Sequence, residues 1–152
     1  MSESINSKII RASPEKVYNA FTDPAALEIW LVPGEMTGKV HHFDLRPGGG
    51  YEMSLYYPQN DNDSKGKTED KEDRYSAKFI ELSPERIIEA IHFNSSDPLF
   101  AGEMILEITL KKIPGGTNLT MKFRNIPPGI DPADNEAGTA SSLEKLARYV
   151  EG

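Results

Sequence analysis

The pattern that most constrains the fold is one amphipathic segment at the C-terminal end, preceded by several segments that alternate polar and apolar residues. The last 22 residues, 131–152, begin with Asp131 and Pro132, an N-cap residue followed by a proline suited to the first helical position. Apolar residues then recur at the helical spacing, at Leu143, Leu146, Ala147 and Val150. This is the only long helix that the sequence predicts, and each alternating segment has one apolar face to cover. We therefore expect a sheet curved around one helix, an arrangement that tends to leave a cavity between the two.

Two short helices and seven strands are predicted ahead of that helix. Ser13-Pro14 and Asp23-Pro24 each pair an N-cap residue with a first-turn proline, so they predict helices that end at Phe21 and Trp30. Strands are predicted over residues 4–11, 39–45, 51–57, 75–79, 86–93, 104–111 and 119–124. Because the links between strands are short, they favour an antiparallel meander. The expected class is α+β, with a curved antiparallel sheet wrapped around the C-terminal helix.

The composition limits the partners that the chain can have. Its 152 residues fit one domain, and the net charge of −7 comes without any run of basic residues. Nucleic-acid binders carry a basic patch, and anionic membranes attract basic segments, so neither partner is expected. No cysteine is present to form a disulfide, a nucleophile or a metal ligand. The N-terminus lacks the apolar stretch of a signal peptide, which makes the cytoplasm the expected location.

Several local motifs, taken together, resemble the SRPBCC superfamily of START-like and birch-pollen-allergen-like proteins. Within it the chain looks like the family named for the activator of heat-shock protein 90 ATPase, homologue 1-like. The matching segments are residues 12–18, 21–24, 30, 43–49, 81–87, 116–117, 138, 142–143 and 146–147. They cover nearly the whole chain. The resemblance implies a helix-grip fold, in which a curved antiparallel sheet grips a long C-terminal helix, with two short helices after the first strand.

This resemblance also implies what the chain does and where it departs from its relatives. It implies a protein that binds a lipid or another small apolar metabolite in a mostly hydrophobic cavity, without a cofactor. Two alternatives stay open, namely an enzyme similar to the superfamily's polyketide cyclases and a co-chaperone module with a chaperone as partner. Many family members carry Gly-Trp in the last helix, where this chain has Gly138-Thr139, which predicts a less bulky wall. Some carry a histidine where this chain has Asn135.

Inward-facing residues of the predicted strands, with a few from the helices, are the candidate lining of the cavity. Methionines suit such a site because their flexible side chains adapt to a ligand, and tyrosines because they add a hydroxyl group to an apolar ring. The candidates are Trp30, His42, Tyr51, Met53, Tyr75, Phe79, Met104, Leu106, Met121, Phe123, Gly138 and Leu143. Two of them have a second interpretation. Trp30 would equally serve as a core anchor, since large aromatic residues dominate core energetics, and Gly138 would equally permit close packing of helix on sheet.

No catalytic or metal site is predicted. His41 and His42 are neighbours on a predicted strand, so their side chains should point to opposite faces and cannot easily share a metal ion. The residues 48–50 are all glycine, but a strand follows them rather than a helix with Lys and Ser/Thr, which favours a turn over a phosphate loop. The polar candidates for an enzyme are His42, Tyr51, Tyr75 and Arg86. No acid/base pair among them has a spacing that demands chemistry.

The charged segment 61–72 partly matches an EF-hand calcium loop. Acidic residues stand at its positions one, three and twelve and glycine at position six. Lys65 occupies position five, where an oxygen ligand belongs, and the flanking segments are predicted strands rather than helices. The pattern favours a solvated loop, with calcium binding as the competing hypothesis.

Overall fold

A computed structural model describes residues 2–32, 34–58 and 72–151 of the chain. Within these residues, seven antiparallel strands form one sheet in the order β1-β7-β6-β5-β4-β3-β2. The strands are β1 (Glu3–Ile10), β2 (Thr37–Asp44), β3 (Gly50–Tyr56), β4 (Glu72–Ser83), β5 (Arg86–Phe93), β6 (Met104–Ile113) and β7 (Gly116–Arg124). The helices are α1 (Pro14–Phe21), α2 (Pro24–Trp30) and α3 (Pro132–Glu151), with one 3-10 turn at Pro98–Phe100. The predicted α+β helix-grip architecture is confirmed.

The helices begin where the capping residues predict. The Ser13 hydroxyl accepts a hydrogen bond from the Lys16 backbone N–H at 3.2 Å, and the Asp23 carboxylate accepts one from the Ala25 N–H at 3.0 Å. Each cap is followed by a proline, whose missing N–H costs nothing at the first helical position. Asp131 caps α3 in the same way, accepting from the Ala133 N–H at 2.9 Å.

The sheet curves so that one face of every central strand points inward. In β6 the buried positions are alternate residues, Met104, Leu106, Ile108 and Leu110, and in β7 they are Thr117, Leu119, Met121 and Phe123. This is the two-residue period expected of a strand with one covered face. The predicted stripe of α3 is buried as well, at Leu143, Leu146, Ala147 and Val150.

Polar contacts hold α3 against the edge strand β1 and the segment after α2. The Ser142 hydroxyl donates to the Leu31 carbonyl at 2.8 Å, and the Lys145 ammonium donates to the Val32 carbonyl at 2.7 Å. On the other side, the Asn135 amide donates to the Ser4 hydroxyl at 2.9 Å. The backbone of α3 accordingly approaches β1, α1 and α2. The space over the central strands is left for side chains, and they do not fill all of it.

Two sequence-based hypotheses concern membranes and metal ions. No helix in the described ranges is long and apolar enough to cross a membrane. Of the predicted calcium loop, residues 61–71 lie outside the described residues, and its last residue, Glu72, begins β4. In the part of the chain that the structure describes, no group of three or more His, Asp or Glu side chains is placed to hold a metal ion.

Candidate ligand cavity

A cavity of about 220 Å³ lies between the concave face of the sheet and the first half of α3. The five strands β3 to β7 each contribute two residues to its wall. These are Tyr51 and Leu55, Asp73 and Tyr75, Ile91 and Phe93, Met104 and Leu106, and Met121 and Phe123. The helical side consists of Asp134, Asn135, Gly138, Thr139 and Ser142, and Leu31 and Ile130 complete the wall. The cavity thus has an apolar floor on the sheet and a wall of small or polar residues on the helix.

Strand alternation and register explain the floor. Tyr75 on β4 stands directly opposite Phe93 on β5, and their ring centroids are 6.2 Å apart. Leu106 on β6 stands opposite Phe123 on β7. Such directly paired residues share one face of the sheet, so each pair adds two adjoining side chains to the same wall.

A polar group adjoins this apolar floor at Tyr51, Tyr75 and Glu89. The Tyr51 hydroxyl donates to the Glu89 carboxyl with an oxygen–oxygen distance of 3.4 Å, and Glu89 is only 2% exposed. The Tyr75 hydroxyl donates to the Met53 sulfur at 3.5 Å. We call Tyr51, Tyr75 and Glu89 the polar corner. It places hydroxyl groups beside side chains that are mostly apolar.

Burial sets the protonation of the polar corner. Desolvation raises the pKa of Glu89 to about 7, and the hydrogen bond from Tyr51 lowers it in part. Desolvation also raises the pKa of Tyr51 well above its usual range, with the Glu89 charge adding to the effect, and it raises the pKa of Tyr75. Both phenols therefore stay protonated, and Glu89 changes charge near neutral pH.

Two carboxylates stand elsewhere in the lining. Asp73 is 1% exposed and accepts a hydrogen bond from the Tyr57 hydroxyl at 2.9 Å. Asp134 is exposed and lies on the first turn of α3, beside the half-buried Asn135. The exposure of Asp134 marks the rim of the cavity, where α3 begins.

Seven predicted cavity residues lie together in this wall. They are Tyr51, Tyr75, Met104, Leu106, Met121, Phe123 and Gly138. Six of them are strand residues, and they share this wall because their strands pair without interruption at these positions, so the inward parity read from the sequence is the parity of the sheet. That they bind a ligand stays a prediction.

Four other predicted residues lie in the packed core and not in the wall, which corrects their placement. Trp30 is fully buried, its indole N–H donates to the Ala20 carbonyl at 2.8 Å, and its ring meets Phe21 edge-on with centroids 4.7 Å apart. Its role as a core anchor is the one the structure supports. Met53, Phe79 and Leu143 are likewise buried among core side chains.

His42 is the fifth exception, and a β-bulge explains it. The pairing of β2 with β3 shifts between Val40 and His42, so an extra residue interrupts the alternation. Both His41 and His42 are exposed. The His41 ring lies 2.8 Å from the Ser54 hydroxyl on β3, whose other partner is Glu72. Neither histidine reaches the cavity.

Arg86 and the glycine run also lie outside the cavity. Arg86 is exposed and pairs with Glu107 at 2.7 Å. In the glycine run, the N–H of Gly48 donates to the Phe79 carbonyl and that of Gly49 to the Arg46 carbonyl, both at 2.8 Å. These amides are satisfied inside the fold, which agrees with a turn and leaves them unable to cradle a phosphate.

Glu89 and Asp73 were not among the candidates that the sequence suggested. Glu89 stands between Ile88 and Ala90, so β5 has apolar residues at both parities and its inward face is ambiguous. Pairing decides it, since Glu89 lies opposite the buried Phe79 on one side and Leu106 on the other. The acidic residue within an otherwise apolar strand is the signal that could have identified Glu89, because an acid in such a strand is rarely buried without a partner or a function.

Comparison with known proteins identifies the family. The family model described as activator of Hsp90 ATPase homolog 1-like protein matches residues 11–151. The chain belongs to this family. None of the curated proteins compared with the chain matches it.

Solved structures of bacterial proteins agree with this membership. A crystallised protein from Chromobacterium violaceum has 32% identity and a TM-score of 0.88, with 99% of this chain and 97% of that chain covered. An AHSA1-like protein from Aeromonas hydrophila, solved by NMR, has 20% identity and a TM-score of 0.72, covering 99% and 92% of the two chains. A crystallised protein from Nitrosomonas europaea has 20% identity and a TM-score of 0.74, covering 98% and 94%. At 20% identity the last two likenesses show the fold alone.

Proposed function

We propose that this protein binds a small, mostly apolar molecule in the cavity between the sheet and α3. The observation that carries the proposal is the cavity of about 220 Å³ between the sheet and α3, whose wall is mostly apolar. Interiors normally hold few voids larger than a water molecule. Ligand sites are concave and mostly apolar, with a few polar groups that fix orientation. The sheet floor and the polar corner have this composition.

An enzyme similar to the polyketide cyclases is the second candidate. The polar corner favours it, because a buried carboxyl with a pKa of about 7 is suited to proton transfer. Against it, Glu89 is not part of the cavity wall, and chemistry requires a group within reach of the reacting atom. A co-chaperone role with a chaperone partner rests on the family's name alone. A cytoplasmic location stays a prediction.

Filling the cavity tests the first proposal. Thr139 faces the cavity from α3 and is 8% exposed, and many relatives that the sequence resembles carry tryptophan at this position. We expect Thr139→Trp to fold and to lower the affinity for the neutral apolar probe N-phenyl-1-naphthylamine by at least roughly tenfold, since the indole would occupy the probe's volume. Isothermal titration calorimetry measures the affinity without relying on tryptophan fluorescence.

The matched control is Ala140→Trp, the same substitution at the next position of the helix, where the side chain is exposed. We expect it to bind the probe as the wild type does. Equal binding by Thr139→Trp and the wild type would refute the cavity as the binding site. Equal loss in both variants would show that the helix surface, and not the cavity, determines binding.

A further inference from the structure

Glu89 is a carboxyl group buried in the core without a cation beside it. It is 2% exposed and stands opposite Phe79 on β4 and Leu106 on β6. It accepts a hydrogen bond from the Tyr51 hydroxyl, at an oxygen–oxygen distance of 3.4 Å. Among the described residues, Glu89 and Asp73 are the buried charged side chains, and no lysine, arginine or histidine is buried. Ionisation of Glu89 therefore places a negative charge in the interior without a compensating cation.

The titratable groups on the inward face of the sheet are few. Tyr51 on β3 and Tyr75 on β4 lie nearest to Glu89, since both act on its charge. Asp73 is six residues along β4 from the position that pairs with Glu89, which is about 20 Å. In β1, β2, β6, β7 and the three helices of the described ranges, no buried side chain is titratable. Burial raises the pKa of both phenols and raises the pKa of Glu89 to about 7, so near neutral pH Glu89 ionises and the phenols do not.

The two tyrosines connect Glu89 to the cavity. Tyr51 and Tyr75 line the cavity, whereas Glu89 lies behind them in the core. Their ring centroids are 6.1 Å apart, the two phenols share a hydrogen bond, and Tyr51 also donates to Glu89. The polar corner is thus a hydrogen-bonded chain that starts at a buried carboxyl and ends in the cavity wall. What occupies the cavity therefore determines how polar the surroundings of this chain are.

Water and an apolar ligand in the cavity have opposite effects on the charge of Glu89. Water beside the tyrosine hydroxyls stabilises the carboxylate through the chain, and an apolar ligand that displaces this water removes that stabilisation. The pKa of Glu89 is therefore higher in the complex than in the free protein. Because protonation and ligand binding are reciprocally linked, affinity is greatest below the free-protein pKa of about 7 and falls as the pH rises through it.

We propose that Glu89 is a pH-sensitive switch for the ligand cavity, whose protonated form favours binding of an apolar molecule and whose ionised form weakens it. This inference rests on the proposed binding function and adds its regulation. Glu89 acts through Tyr51 and does not touch the ligand, so it is a positioning residue of the site.

The affinity for N-phenyl-1-naphthylamine at two pH values tests the switch, because this probe stays uncharged at both. We expect the wild type to bind it roughly three- to tenfold more tightly at about pH 6 than at about pH 8.5, the effect of a pKa that rises by up to about one unit on binding. Glu89→Gln imitates the protonated acid and should bind equally at both. The control is Glu85→Gln, at an exposed residue, which should keep the wild-type dependence on pH.

Proton uptake gives a second readout that a carboxyl with a merely structural role would not produce. Calorimetric titrations at about pH 7.5, in two buffers of different ionisation enthalpy, count the protons taken up on binding. The wild type should take up a fraction of one proton for each probe molecule bound, and Glu89→Gln should take up none. The wild-type measurement depends on no variant, so it decides the matter even where Glu89→Gln folds poorly.

The outcomes separate the switch from the binding function. A wild-type affinity that does not change with pH and binding without proton uptake would overturn the switch and leave the binding function standing. A pH dependence that persists in Glu89→Gln would also overturn it, since another group would then be responsible. Failure of the wild type to bind the probe at either pH would contradict the binding function itself, and the switch with it.

Discussion

The two halves of α3 face the same sheet, yet one half closes the core and the other leaves a cavity. In the second half the buried residues are Leu143, Leu146, Ala147 and Val150, whose side chains fill the interior. In the first half the lining residues include Asn135, Gly138, Thr139 and Ser142, which are small or polar. The strands opposite the first half supply large apolar residues to the cavity wall. The size of the side chains along α3, more than the hydrophobicity of the sheet, therefore determines where the cavity lies.

The packed region should respond most strongly to loss of volume. Trp30→Ala removes a fully buried ring and its hydrogen bond to the Ala20 carbonyl, so we expect the free energy of unfolding to fall by about 3–5 kcal/mol. Urea denaturation measures the loss. Ile29→Ala, at a neighbouring side chain that is 57% exposed, is the control and should cost less than about 0.5 kcal/mol. Similar losses in the two variants would show that Trp30 is not a core anchor.

The polar corner should make stability depend on pH. The pKa of Glu89 rises from its ordinary value of 4.5 to about 7 on folding, so between these values the folded state binds more protons than the unfolded state. The Glu89 contribution to the free energy of unfolding is therefore greatest below pH 4.5, falls as the pH rises towards 7, and is constant above that.

Glu89→Gln, which imitates the protonated acid, should remove this dependence. The quantity to compare is the free energy of unfolding of Glu89→Gln minus that of the wild type. From the pKa change of Glu89, we expect this difference to be about 3 kcal/mol larger at pH 8 than at pH 4. Denaturant melts at several pH values measure it, and Glu85→Gln on the exposed turn before β5 is the control. Parallel pH profiles of the wild type and Glu89→Gln would contradict a raised pKa.

Enlarging a side chain should have opposite consequences in the two halves of α3. Ala147→Leu adds volume to a packed region and should lower the free energy of unfolding by about 1–3 kcal/mol. Thr139→Leu adds volume towards the cavity and should change it by less than about 0.5 kcal/mol or stabilise the protein. Thermal melts of the two variants measure these changes. An equal loss of stability in both variants would mean that the first half of α3 is as tightly packed as the second.

Local signals predicted most of the fold. The caps at Ser13, Asp23 and Asp131 depend only on residues within a turn of them, and the spacing of the α3 stripe depends only on helical geometry. The same is true of alternation in β6 and β7. Each of these predictions agrees with the structure because no distant contact has to be known.

The cavity wall was predicted only in part, because its composition depends on non-local pairing. His42 faces solvent because of a bulge that appears only when β2 pairs with β3. Glu89 faces inward because β4 and β6 fix the parity of a strand that is apolar on both faces. Whether Met53 or Leu143 borders the cavity or the core depends on the size of neighbouring side chains. One-dimensional patterns carry none of this information.

The most direct measurement of the central claim is native mass spectrometry of freshly purified wild-type protein beside Thr139→Trp, followed by extraction of anything bound. The account predicts that the wild type carries, at near one-to-one ratio, a small and mostly apolar molecule, and that Thr139→Trp carries none. The same bound species in both proteins, or a wild type that is recovered empty and then takes up no N-phenyl-1-naphthylamine, would contradict a ligand site between the sheet and α3.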